Sequence, residues 1–501
     1  MEKNRKLGLG VLGLLLVGTF GAHAAYARHS AESRDDESWA KAPRPTLPAL
    51  MPVDRLPYPV KATNEPASPG NVSVKAEVDR TAVLQRGDGI VHVQVTLDTH
   101  GLGVSGHVPT DFVVVFDRSG SMSGEKLEYG KQALRQLISR LDDDDRFALV
   151  AYDSRVEVRV PLSQLARGNR SNWLDAVNRV DTAGGTNISA GLDSGLEELS
   201  HAHESSRASR VLLLSDGLAN EGATSIPELM MRAQRIVRQE SVLTTVGIGS
   251  DFDERVMTSL AKGGSGAFYY LAKLETLTPL LDAELKTASQ TYARGAELAI
   301  QLPPGVRLLS ATGGTSVQSG DQVVVPVGSL YGDQKSSLWL TLKVPTDQLK
   351  DTELGAISLR YRRDDQLFVA RANGLPKIAC VTDEREFKRR IVEKVWEHAM
   401  LDEELGKGQE ALGDAIRSGT ARDVDNAVAN ASRELKLAQD LGNQRVVSQM
   451  QALAASAPAA KAAQVAAPSA RSVAAKKATA DGFGARNKRA YNAAFDSSSS
   501  Y

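Results

Sequence analysis

The stretch that decides the fold runs from Phe112 to Ser123 and reads FVVVFDRSGSMS. Its first half is a short, continuous apolar run rich in valine, which is typical of a strand buried on both faces of a parallel sheet. Asp117, Ser119 and Ser121 follow at alternate positions of a polar loop, so their side-chain oxygens can point the same way. Ligands of open α/β sheets bind at the carboxyl edge of the strands. The loop is therefore predicted to be a binding site.

Two later segments repeat this design. GGTNIS places Thr186 between a glycine pair and an apolar helical run, and RVLLLSDG places Asp216 directly after a second apolar strand. All three loops can lie at one sheet edge, which would bring together Asp117, Ser119, Ser121, Thr186 and Asp216. Carboxylate and hydroxyl oxygens are hard donors that suit magnesium, manganese or calcium rather than zinc. We predict an octahedral metal site made of these five residues.

In order and spacing, these residues resemble the metal-ion-dependent adhesion site (MIDAS) of von Willebrand factor A (VWA) domains. The similarity covers about residues 110–289 and includes the phrases RFALVAYDS, AGGTNISAGL, LLLSDGLANEG, TTVGIG and GAFYYL. The resemblance implies direct binding of the metal by the hydroxyls of Ser119 and Ser121. It also implies that Thr186 binds directly or through water, and that the two aspartates act mostly through bound waters.

The ligand balance predicts the kind of partner. Mostly neutral direct ligands leave a divalent ion strongly electrophilic, so the ion favours an anionic sixth ligand. The resemblance implies that an Asp or Glu of a partner protein supplies this ligand. Magnesium fits best because it retains waters and seldom sits in an all-protein cage, with manganese or calcium as alternatives. Capped helix starts are a simpler explanation of the Ser and Asp residues. Capping alone would not require five residues on three loops.

An enzyme is a weaker interpretation of the same loop. Phosphatases of the haloacid dehalogenase type begin with an Asp after a buried strand but place a second Asp two residues later, where this chain has Ser119. No Gly-x-Ser-x-Gly elbow, His-Glu-x-x-His helix or Walker loop is present. We therefore predict a non-enzymatic adhesion or assembly protein. The alternatives are a structural envelope protein whose metal only stabilises the domain, and a metal-dependent hydrolase.

Composition and the amino-terminal segment indicate an exported multidomain protein. The chain has 501 residues and a formal net charge of −1, so bulk charge gives no argument for a nucleic-acid partner. A basic start, an apolar run and small residues predict a signal peptide over residues 1–27, with no transmembrane segment in the mature chain. Export to the periplasm, cell surface or medium follows. A single cysteine, Cys380, excludes an intramolecular disulfide.

The pattern along the chain predicts a doubly wound α/β domain inserted in an antiparallel β-sandwich. Alternating apolar and polar residues predict the first sandwich strands over residues 70–108 and the remaining strands over 291–382. Between them, strands that alternate with helices over 109–290 indicate a mostly parallel, Rossmann-like sheet. Residues 28–69, rich in Pro, Ala and charge, are predicted to be a disordered linker.

The carboxyl-terminal part divides into two predicted regions. Residues 383–456 acquire a helical period, which predicts a small hairpin or bundle. Residues 457–501 are rich in Ala, Lys and Ser and are predicted to be a disordered basic tail. The tail interleaves aromatic residues with its positive charges, which would allow contact with a polyanion, although a solvated tail explains the charge more simply.

Overall fold

A computed structural model describes residues 60–62, 72–100, 107–164, 169–201, 204, 206–249, 251–271 and 273–486. The predicted signal peptide, most of the predicted linker and residues 487–501 lie outside the described residues. The strands in chain order are β1 (Val60–Ala62), β2 (Ser73–Val78), β3 (Ala82–Leu84), β4 (Ile90–Asp98), β5 (Thr110–Asp117), β6 (Arg146–Tyr152), β7 (Val156–Gln164), β8 (Ala208–Ser215), β9 (Val242–Ile248), β10 (Ser265–Leu271), β11 (Thr291–Gln301), β12 (Arg307–Ala311), β13 (Val317–Ser319), β14 (Gln322–Tyr331), β15 (Lys335–Lys343), β16 (Ala356–Arg363), β17 (Gln366–Arg371) and β18 (Ala379–Val381).

The helices fall into two groups, one between β5 and β11 and the other after β18. They are α1 (Glu125–Arg140), α2 (Asn169–Asn178), α3 (Ile188–His201), α4 (Ile226–Arg238), α5 (Glu254–Gly263), α6 (Leu277–Ala288), α7 (Glu384–Arg389), α8 (Glu393–His398), α9 (Leu405–Ser418), α10 (Ala421–Leu441), α11 (Gln444–Ala455), α12 (Ala457–Gln464) and α13 (Pro468–Arg486). A π-helical segment (Ala399–Glu404) joins α8 to α9. Within the described residues, no helix is both long and apolar enough to cross a membrane.

The predicted doubly wound sheet is confirmed. Its strand order is β10-β9-β8-β5-β6-β7, and all neighbours are parallel except the edge strand β7. Every residue of β5 is buried, because Phe112, Val114 and Phe116 pack in one core with α1, α2 and α6. Val113 and Val115 face the opposite core with α3, α4 and α5. Each fully buried side chain of this kind contributes about 1.5–3 kcal/mol by leaving water.

The α/β domain interrupts a two-sheet β-sandwich, as the alternating segments predicted. One sheet has the order β12-β15-β4-β2, so strands from before and after the α/β domain pair directly. The other has the order β1-β17-β16-β11-β14-β13, and the two sheets share one apolar core. The Val108 amide donates to the Ser289 carbonyl at 3.1 Å. This bond holds the entry and exit of the inserted domain side by side, which insertion requires.

The structure corrects two predictions of disorder. Residues 60–62, placed in the linker, form β1, which pairs in parallel with β17. Residues 457–486, placed in the disordered tail, form α12 and α13. Alanine-rich sequence gives little apolar period, but two large side chains of α13, Lys476 and Phe483, are buried against other parts of the chain. Phe483 joins the core of the α/β domain, and Lys476 is 2% exposed.

The helical region between 383 and 486 has a core of its own. Asp383 caps α7 by accepting from the amides of Arg385 and Glu386. The core is built on Trp396, which is fully buried, and it includes Trp339 of sandwich strand β15. The helical region therefore packs on the sandwich.

Candidate metal-binding site

Asp117 ends β5 and organises the loop that follows it. Its Oδ1 accepts from the Ser119 amide at 2.8 Å, and its Oδ2 accepts from the Ser215 hydroxyl at 2.5 Å. Asp117 is completely buried. Burial raises the pKa of this carboxyl, and the hydrogen bonds from Ser215 and Ser119 oppose the rise. The carboxylate therefore ties the β5 loop to the end of β8.

Two serines and the second aspartate meet directly. The Ser119 and Ser121 hydroxyl oxygens are 3.0 Å apart, and the Ser121 hydroxyl donates to Asp216 Oδ1 at 2.7 Å. Asp216 is fully buried and Ser119 nearly so, whereas Ser121 is exposed. Oxygens from loops that are 95 residues apart in sequence are thus held at one place, with an opening to solvent on the Ser121 side.

Backbone and side-chain bonds position the loop that carries Thr186. The Gly120 amide donates to the Gly184 carbonyl at 3.3 Å. The Thr186 amide donates to Asn220 Oδ1 at 2.8 Å, and the Asn220 amide donates back to the Thr186 carbonyl at 3.1 Å. A Cβ placed on Gly217 would lie 2.9 Å from Thr186 Oγ1 and 3.4 Å from Ser121 Oγ. Glycine at 217 therefore leaves the space between these hydroxyls free.

The structure brings together all five residues predicted from sequence. They offer three hydroxyls and two buried carboxylates, a donor set that fits a hard divalent cation. The five are Asp117, Ser119, Ser121, Thr186 and Asp216.

Sequence reasoning missed Lys126. Its Nζ donates to Asp216 Oδ2, lies 3.4 Å from the Ser121 carbonyl oxygen and is 3.8 Å from Asp251 Oδ2. The available signal was its place in the first turn of α1. A cation there opposes the helix dipole and calls for a nearby anion.

Two further residues of the site loops, Arg118 and Asn220, have supporting roles. The guanidinium of Arg118 forms ion pairs with Asp153 at 2.8 Å and Glu157 at 3.4 Å, so its charge is paired with carboxylates other than Asp117 and Asp216. Asn220 holds the Thr186 loop through the paired bonds described above. Neither is needed as a ligand.

A second group of potential ligands lies at the loop before β6. The His107 ring nitrogens are 2.8 Å from Asp145 Oδ1 and 3.2 Å from Asp142 Oδ2. Asp145 already accepts from the amides of Thr110 and Asp142. The bonds at Asp145 tie this loop to the start of β5, so we assign the group a structural role.

The mostly parallel sheet with helices on both faces defines a Rossmann-like α/β domain. Residues 111–283 match the family model of the von Willebrand factor type A domain, so this chain contains a VWA domain. Among solved structures, the chain resembles a von Willebrand factor type A protein from Catenulispora acidiphila, with a TM-score of 0.59, 20% identity and coverage of 77% of this chain and 91% of that one. It also resembles the ArnB paralog VWA2 from Sulfolobus acidocaldarius, with a TM-score of 0.52, 15% identity and coverage of 83% and 99%. These structural likenesses concern the fold alone.

Several curated relatives match this chain in sequence. Uncharacterized protein sll0103 of Synechocystis sp. is 29% identical over 268 residues, which cover 51% of this chain and 62% of that protein. Inter-alpha-trypsin inhibitor heavy chain H1 of Mesocricetus auratus is 27% identical over 320 residues, which cover 61% of this chain and 32% of that protein. The matched region thus spans less than two thirds of either relative.

Proposed function

We propose that this chain is an exported adhesion or assembly protein that captures an acidic residue of a partner protein through a divalent cation. The observation that carries the proposal is the convergence of Ser119, Ser121 and Asp216 at one solvent-accessible sheet edge. VWA domain proteins mediate protein-protein interaction and adhesion, which supports a binding role. Magnesium is the proposed ion, with manganese or calcium as alternatives.

The five predicted site residues would have two different roles in binding the ion. The hydroxyls of Ser119, Ser121 and Thr186 would bind the ion, and Asp117 and Asp216 would balance its charge from buried positions. When bound, the cation supplies a Lewis-acid contact for a carboxylate oxygen. Because three of the five donors are neutral, the ion keeps a high affinity for an anion from the partner.

The surroundings of the site suit a protein partner. Ser121 is exposed, and Leu218, two residues after Asp216, has 55% of its surface exposed. A large apolar side chain beside a charged contact is a usual component of protein interfaces. We infer that the partner places an Asp or Glu on the ion and an apolar group against Leu218.

The location and the remaining contacts are part of the same proposal. The predicted signal peptide supports export to the periplasm, the cell surface or the medium. Two basic residues of the predicted tail are already paired within the chain and are less suited to contact a polyanion. Lys476 pairs with Glu254 at 3.1 Å, and Arg486 pairs with Glu403 at 3.0 Å. Residues 487–501, with their own basic residues, lie outside the described part of the chain.

An affinity pull-down from envelope extract tests the proposal. Wild type, a Ser119→Ala, Ser121→Ala double variant and a Ser123→Ala control are compared with magnesium and with EDTA. Ser123 is exposed in the same loop but is not one of the five ligands, so it controls for loss of a loop hydroxyl. We expect one partner to be recovered by wild type and control in magnesium only. Equal recovery by the double variant contradicts the proposal.

Thermal melting with and without EDTA distinguishes metal-dependent partner binding from the alternative in which the metal only stabilises the domain. If the metal only stabilises the domain, EDTA lowers the melting temperature but leaves partner recovery unchanged at a temperature where the domain stays folded. If it bridges to the partner, recovery is lost under those same conditions. A hydrolase would instead show turnover of phosphate esters that disappears in Asp117→Ala.

A further inference from the structure

Lys126 shares Asp216 with the proposed metal site. Its ammonium group donates to Asp216 Oδ2, while Asp216 Oδ1 accepts from the Ser121 hydroxyl. Asp216 is completely buried, and the Lys126 side chain is 24% exposed. A fixed positive charge therefore lies directly against one of the two carboxylates that would balance the cation.

The position of Lys126 makes this contact more than an ordinary surface ion pair. Lys126 is the second residue of α1, where the positive end of the helix dipole disfavours a cation. It nevertheless contacts the buried carboxylate of Asp216 and lies 3.8 Å from Asp251 Oδ2. A buried carboxylate such as that of Asp216 is costly without a nearby positive charge, and Lys126 supplies that charge from within the chain.

We propose that Lys126 is a built-in competitor of the divalent cation for Asp216. This inference rests on the proposed metal site and adds its regulation. The ammonium stabilises the Asp216 carboxylate when no ion is bound, and its charge opposes a cation that binds the same carboxylate. The site then fills only at metal concentrations higher than its five oxygens alone would require. Asp251 offers the ammonium a second carboxylate when Asp216 binds the ion.

A purely structural role of the Lys126–Asp216 ion pair predicts the opposite change in metal affinity when Lys126 is removed. If Lys126 only holds α1 and the Asp216 loop in place, its removal loosens the ligands and weakens metal binding. If Lys126 competes, its removal strengthens metal binding. The direction of the change in affinity therefore distinguishes the two roles.

The experiment measures Mn²⁺ affinity of the full chain by electron paramagnetic resonance, with no partner present. We expect Lys126→Met to bind Mn²⁺ more tightly by a factor on the order of ten, and Lys126→Arg to remain near wild type. Arg140→Met is the matched control, because it removes a positive charge from the opposite end of α1, and its affinity should be unchanged. Lys126→Gln replaces Lys126→Met if the latter does not fold.

Melting temperatures supply a second measurement. In EDTA, Lys126→Met should melt at a lower temperature than wild type, because the buried Asp216 carboxylate loses its counter-charge. Adding Mn²⁺ should raise the melting temperature of Lys126→Met by more than it raises that of wild type. Unchanged or weaker Mn²⁺ binding by Lys126→Met overturns this inference and leaves the proposed function standing. If wild type itself binds no Mn²⁺, both are overturned.

Discussion

The Nε2 of His92 lies 3.1 Å from Oε1 of Glu404, and this contact joins sandwich strand β4 to the π-helical segment of the helical region. The other ring nitrogen of His92 is 3.0 Å from Asp79 Oδ2. Burial alone would lower the pKa of His92, but the charge of Asp79 and hydrogen bonds with both carboxylates raise it to about 9. The pKa of Glu404, which burial would raise, falls to about 2 through its bonds with His92 and Lys407.

This pair predicts how stability depends on pH. The raised pKa of His92 gives stability that is complete below its unfolded value of about 6.5 and is lost as pH rises through about 9. The lowered pKa of Glu404 gives stability that is complete above about 4.5 and is lost only as pH falls through about 2. We expect the free energy of unfolding to decrease by an amount on the order of 3 kcal/mol between pH 6.5 and pH 9.

Urea unfolding across that range checks the pH prediction. His92→Gln should be less stable than wild type at pH 6 and should show a smaller decrease toward pH 9. The control is His100→Gln, because His100 has 61% of its side chain exposed beside Asp98 and should leave the decrease unchanged. An equal decrease in wild type and His92→Gln would contradict the assignment.

Metal removal should lower the stability of wild type but not of a variant that lacks the site. A ligand present at 100 times its dissociation constant stabilises the folded state by about 2.7 kcal/mol. We expect EDTA to lower the melting temperature of wild type and of Ser123→Ala, and to leave that of Ser121→Ala unchanged. Differential scanning calorimetry in a magnesium buffer, with and without excess EDTA, measures these melting temperatures. A Ser121→Ala protein that responds to EDTA as wild type does would exclude Ser121 as a ligand.

Helix α1 approaches the central strand closely at Gly130. A Cβ at this position would lie 2.5 Å from Cζ of Phe116, the residue before Asp117. Gly130→Ala should destabilise the domain by about 1–3 kcal/mol through overpacking, partly offset by the higher helix propensity of alanine. Gly374→Ala is the control, since no heavy atom lies within 4 Å of the added Cβ. Urea unfolding that ranks the two variants equally would show that the helix can shift without strain.

The docked helix α13 provides a fourth prediction. Phe483 is 6% exposed, and its ring centre lies 6.1 Å from that of Phe268 in the VWA domain. Phe483→Ala should reduce the free energy of unfolding by about 3–5 kcal/mol. Val473→Ala changes a residue of the same helix that is 41% exposed and should have little effect. If residues 468–486 were disordered, neither substitution would alter the urea midpoint.

Local sequence patterns were enough to predict the central sheet and the grouping of the five site residues. The run from Phe112 to Phe116 is apolar at every position because both faces of β5 are covered. Loops that follow parallel strands meet at one edge of the sheet, so polar residues placed directly after β5 and β8 are neighbours whatever the distance in sequence. This is why Asp117 and Asp216 could be paired before the structure was considered.

The sequence by itself therefore determined the VWA-type sheet, its insertion in a sandwich and the five clustered oxygens, because strand periodicity and strand ends are local features. Only the tertiary structure decided that Lys126 contacts Asp216, that His92 contacts Glu404, and that α13 is an ordered helix. Each depends on side chains far apart in the chain. Lys476 and Glu254, 222 residues apart, have nothing in their own neighbourhoods that indicates the other. Their charges are brought together only because packing of the apolar faces places α13 against the VWA domain.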